Sequence, residues 1–68
     1  MTVDAAFDIG AAAQELVRLY GELAAFVADQ YAEDAGERGD AAGARRWREV
    51  AATVALLLAG PPPGAVTH

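Results

Sequence analysis

A short turn divides this chain of 68 residues into two long helical stretches. The turn, G-E-R-G-D at residues 36–40, combines two glycines suited to a helix C-terminus with an aspartate suited to a helix N-cap. Helices that are joined by about five residues must lie antiparallel beside each other. The sequence therefore predicts an all-α fold, built as an antiparallel two-helix hairpin.

The predicted hairpin occupies residues 1–60, and a proline-rich flexible tail follows at 61–68. The first helix is expected at about 8–35, capped by Asp8 or beginning earlier at Asp4. The second helix is expected at about 41–59, because Gly60 and three prolines stop it. Trp47 should then face Tyr31 or Val27 across the hairpin.

The first predicted helix is apolar around roughly half of its circumference on a helical wheel. A surface helix typically carries an apolar stripe a little over 100° wide, so one neighbouring helix cannot cover this arc. The first helix should also extend roughly 10–15 Å beyond the second. That overhang carries Phe7 and Ile9. These features favour a homo-oligomer, most simply a dimeric four-helix bundle.

Chain length points the same way. A chain of this size buries only about 60% of its surface on folding. With no cysteine, it has neither a disulfide nor a zinc site to compensate. Self-association or a partner protein is the remaining source of buried area.

The predicted function is that of a non-enzymatic interaction or assembly module, such as an accessory subunit, an adaptor or an antitoxin-like partner. It would bind a second copy of itself or a heterologous helical protein. The alternative is a small-ligand-binding bundle with a pocket at the dimer centre, beside Tyr20, Tyr31 or Trp47. The candidate interaction residues are Phe7, Ile9, Leu16, Val17, Tyr20, Leu23, Val27, Tyr31, Trp47 and Leu56.

The residue types give no basis for catalysis. The chain has no serine and no cysteine, and its only histidine is the last residue, His68. We therefore predict no catalytic, cofactor-binding or metal-binding residue and no enzyme activity. Four acidic residues recur every seven positions, but no Glu-x-x-His pair accompanies them, so a solvated flank is predicted, as at the g positions of a coiled coil. These residues are Asp8, Glu15, Glu22 and Asp29.

Charge and hydropathy narrow the choice of partners. A net charge of −5 disfavours nucleic acid, and the arginines at 45, 46 and 48 are expected on a solvated helix face, offsetting the carboxylates at 29–37 across the hairpin. The most apolar stretch, residues 50–59, is half the length of a membrane span. The N-terminus lacks a basic region, so a cytoplasmic location is predicted.

The segment from Gly39-Asp40 through Arg46-Trp47 to Leu57 resembles the ends of many small bacterial helical proteins. This resemblance covers under a third of the chain and implies no activity.

Overall fold

The computed structural model describes residues 7–60, of which 89% are helical. Three α-helices and a 3-10 turn follow one another: α1 (Ile9–Tyr20), the 3-10 turn (Gly21–Leu23), α2 (Ala24–Glu37) and α3 (Ala41–Ala59). Within this range there is no strand, so the prediction of an all-α fold is confirmed. The predicted tail at 61–68 and the alternative cap Asp4 lie outside the described residues.

The predicted helix signals act where they were expected. The Asp8 carboxylate accepts a hydrogen bond of 3.2 Å from the amide of Ala11 and caps α1. The Asp40 carboxylate accepts one of 2.8 Å from the amide of Gly43 and caps α3. The second helical region matches its predicted limits, and the first ends two residues later than predicted, at Glu37.

The prediction of one unbroken first helix is wrong, because the chain breaks at Gly21. This residue has φ 59° and ψ −127°, a backbone conformation that residues with a side chain rarely adopt. Its amide donates to the carbonyl of Val17 and closes α1. We call the segment Gly21–Leu23 the corner.

At the corner the chain reverses direction. The ring of Trp47 lies 5.8 Å from the ring of Phe7 and 4.8 Å from that of Tyr31, measured between centroids. Along a straight helix Phe7 and Tyr31 would be roughly 36 Å apart, so both can reach Trp47 only if α1 folds back. The contact between Tyr31 and Trp47 confirms the predicted pairing.

The fold-back makes a three-helix bundle, in which α1 runs antiparallel to α2 and parallel to α3. The predicted overhang does not form, because Phe7 contacts Trp47 and Ile9 packs against the core. The core runs along all three helices and consists mainly of small side chains. It comprises Ala13, Leu16, Ala24, Ala28, Ala32, Ala35, Ala44, Val50 and Val54.

The fold-back can be tested through Trp47, the single tryptophan of the chain. Phe7→Ala should shift the fluorescence emission of Trp47 to longer wavelength, because it removes an edge-to-face neighbour and admits water. It should also lower the free energy of unfolding by about 0.5–1.5 kcal/mol, the usual value of an aromatic pair. Phe26→Ala is the control, since within residues 7–60 its ring touches no other aromatic ring. Identical emission spectra for wild type and Phe7→Ala would contradict the fold-back.

Candidate interaction surface

The bundle is packed with its small apolar side chains inside and its large ones outside. Six of the nine buried apolar residues are alanines, and only Val50 and Val54 are both large and fully buried. In contrast, Leu19 is 54% exposed, Leu23 63% and Leu56 73%. Isolated exposed leucines are common on protein surfaces, but a contiguous group of them marks an interaction site.

Most of these exposed side chains lie at one end of the bundle. They belong to the last turn of α1, the corner and the last turn of α3. Ala24, next to the corner, and Val54, one turn before Leu57, are members of one core cluster, so these segments are neighbours in space. We call this group of residues the apolar cap. It consists of Leu19, Tyr20, Leu23, Leu56, Leu57 and Leu58, each more than two-fifths exposed.

The two ends of the bundle differ in charge. From residue 50 to residue 60 no side chain is ionisable, and Glu22 is the single charge between residues 19 and 28. The opposite end, around the turn between α2 and α3, carries both signs of charge. Those residues are Asp29, Glu33, Asp34, Glu37, Arg38, Asp40, Arg45, Arg46, Arg48 and Glu49. The cap is therefore an apolar surface with almost no electrostatic cost of burial.

The ion pairs are local and do not join helices. Arg38 pairs with Asp34, and Arg18 pairs with Glu15, whose side-chain hydrogen bonds and charge raise the pKa of the Arg18 guanidinium. Across the described part of the chain, no ion pair links the arginines at 45, 46 and 48 to a carboxylate of α2. The guanidinium of Arg46 instead lies over the ring of Phe7, at 5.6 Å from its centroid. The charges that were expected to offset each other across the hairpin therefore form no direct ion pair among the described residues.

A cavity of about 400 Å³ opens at the charged end of the bundle. Glycine and alanine residues line it together with Arg45 and Arg48, and no aromatic ring does. It is therefore not the aromatic pocket expected beside Tyr20, Tyr31 or Trp47.

The carboxylates spaced at seven residues do not form a metal site. The corner separates Asp8 and Glu15 on α1 from Asp29 on α2, and all of them are exposed. Between residues 7 and 60 no three His, Cys, Asp or Glu side chains are grouped closely enough to hold a metal ion.

The structure divides the predicted interaction residues into four groups. Tyr20, Leu23 and Leu56 lie in the apolar cap, and Leu16 is buried in the core at 6% exposure. Phe7 and Tyr31 flank the ring of Trp47. The others are partly buried and pack against the core: Ile9, Val17, Val27 and Trp47.

Sequence reasoning missed four exposed apolar residues. Leu19, Leu57 and Leu58 belong to the cap, and Phe26, at 61% exposure, lies one turn beyond it on α2. In the last turn of α3, Leu57 and Leu58 are each 43% exposed. For Leu57 and Leu58, the sequence signal was the run of three leucines at 56–58 within a stretch that has no charged residue.

No protein-family model, curated protein or solved structure matches this chain. Among the described helices, none has the length and hydropathy to cross a membrane.

Because alanine fills most of the core, a larger side chain there should destabilise the fold. Ala28 is fully buried in the core cluster, so Ala28→Leu should overpack it and lower the free energy of unfolding by about 1–3 kcal/mol. Ala52→Leu is the matched control, because Ala52 is exposed on α3 and should tolerate leucine within about 0.5 kcal/mol. Urea denaturation of both variants gives the comparison. Equal stability of the two variants would show that the helices are not closely packed at Ala28.

Proposed function

We propose that this protein is a non-enzymatic assembly module that associates with a second copy of itself through the apolar cap. One observation carries the proposal: six large apolar side chains lie exposed at one end of a bundle whose own core is filled by alanine. Burying them against an identical surface removes them from water, and the six cap residues themselves carry no charge.

The size of the cap suits a small, stable interface. At roughly 100 Å² for each half-exposed side chain, the cap amounts to roughly 600 Å² per copy, against the about 800 Å² per partner of a standard interface. Phe26, at 61% exposure, extends the apolar area beyond the cap itself. Two caps placed face to face therefore approach the area that specific association requires.

The amino-acid composition of the cap favours a second copy of the chain as the binding partner. The cap is leucine-rich and almost uncharged, so it matches itself and carries no charge pattern that would select a different partner. An adaptor, an accessory subunit or an antitoxin-like protein would use the same surface toward another helical protein. A dimer that contains only four helices, as expected from the sequence, would also require α1 and α2 to join into one straight helix.

Self-association is tested with Leu23→Glu. Leu23 is exposed in the subunit, so glutamate should leave the fold intact but place a charge in the docked cap. We expect the molar mass from light scattering to fall from dimer to monomer, with at least a tenfold weaker dissociation constant for one buried unpaired charge. Circular dichroism at low concentration should be unchanged.

Gln14→Glu is the matched control. Gln14 is exposed on α1 and receives the same side chain, but it lies outside the cap and away from the a and d positions. Its dimer should dissociate as the wild-type dimer does. A wild-type mass that stays monomeric up to millimolar concentration would refute self-association. Loss of dimer in both variants would indicate that net charge, and not the cap, controls it.

A further inference from the structure

We propose that the corner is a hinge, and that two copies of the chain exchange α1 by opening it. In the described subunit α1 lies on its own α3 and connects to α2 through three residues. When the corner straightens, α1 and α2 become one helix over residues 9–37, about 44 Å long. The α1 half of that helix then occupies the same place on the α3 of the second copy. This inference rests on the proposed self-association and specifies its mechanism.

The first observation is that the apolar pattern crosses the corner without a change of phase. Apolar side chains recur at alternating intervals of three and four residues, the a and d spacing of a coiled coil. The series is Ile9, Ala12, Leu16, Leu19, Leu23 and Phe26. The acidic residues at 8, 15, 22 and 29 all fall at the g position of the same heptads. A corner that only joined two separate helices would not require this continuity.

The second observation is that the closed corner leaves part of the series uncovered. Leu19, Leu23 and Phe26 are each more than half exposed. In a straight helix the spacing of four and three residues brings them onto one stripe, at the middle of residues 9–37. These three residues, which are exposed in the described subunit, would therefore form one continuous apolar seam along the straightened helix.

The third observation is that exchange preserves the core. Ala13 and Leu16 of α1 belong to the same core cluster as Val50 and Val54 of α3. After exchange, the same contacts form between copies, so the equilibrium depends mainly on the corner and on the newly covered seam. The product contains four helices, two long ones and two copies of α3, and each half keeps the three-helix core of the subunit.

The corner depends on Gly21, and this provides the test. Gly21→Ala adds a methyl group that meets no atom within 4 Å, so its effect is conformational and not steric. L-alanine opposes the positive φ of the corner and favours the straight helix. We expect Gly21→Ala to strengthen dimerisation by about tenfold or more.

Two controls separate the hinge from general helix stabilisation. Gly36→Ala also adds a methyl group in open space and favours helix, but it lies within α2 at a distance from the corner. Its dissociation constant should stay within about twofold of the wild-type value. A chain synthesised with D-alanine at position 21 favours the positive φ and opposes the right-handed helix. It should weaken the exchanged dimer.

Intrachain distance identifies the exchange directly. The chain has no cysteine, so Ala11→Cys with Glu33→Cys gives two exposed positions that alone carry spin labels. The two backbones lie within about 15 Å on adjacent helices when the corner is closed, and about 33 Å apart in the straight helix. Labelled chains are refolded with an excess of unlabelled chains, so that pulsed electron paramagnetic resonance reports distances within one chain.

The outcomes are distinct. Dimers with the long distance, strengthened by Gly21→Ala and weakened by D-alanine, support exchange. Dimers that retain the short distance would overturn exchange but leave docking through the cap intact. If wild type and Gly21→Ala are both monomeric with the short distance, exchange and self-association both fail. The distance in the wild-type background decides the result even if Gly21→Ala does not fold.

Discussion

The positive φ of Gly21 is the constraint on which the rest of this structure depends. A side chain at this position opposes the positive φ and favours helix, so the turn depends on glycine. Because Gly21 turns the chain, α1 reaches the groove beside α2 and α3, and Phe7 arrives at Trp47. One glycine thereby converts a two-helix arrangement into a three-helix bundle that covers part of its own apolar surface.

Close packing of three short helices explains where the side chains lie. Alanine at the helix contacts allows the backbones to approach, and two valines and one leucine supply the remaining core volume. Between residues 7 and 60, Leu16 is the one leucine inside this core, whereas the other leucines and Phe26 are each more than two-fifths exposed. They collect at the corner and at the end of α3.

The apolar cap and the hinge are two consequences of the same geometry. Turning the chain at Gly21 places the corner near the last turn of α3, where Leu57 and Leu58 are exposed. The same turn exposes Leu19 and Leu23. The proposed docking through the cap would cover these residues without changing the subunit, whereas the proposed exchange of α1 would cover them by straightening it. Most charged residues lie toward the other end of the bundle, and the charges next to the cap are Arg18 and Glu22.

Sequence patterns alone predicted the helical class, the Asp40 cap and the ends of the second helical region. They narrowed the first cap to Asp4 or Asp8 and the neighbour of Trp47 to Tyr31 or Val27. These features follow from local rules. A carboxylate at a helix start accepts hydrogen bonds from free amides, and a proline ends a helix because it has no amide hydrogen. Apolar side chains at helical spacing mark the helices themselves. Only the tertiary structure decided the break at Gly21 and the placement of Leu16 inside and Leu19 outside. A glycine within a helical pattern is compatible with both a helix and a turn, because its backbone adopts either at similar cost. The contacts between α1 and α3 favour the turn over the continuous helix, and these contacts join residues that are far apart in the chain.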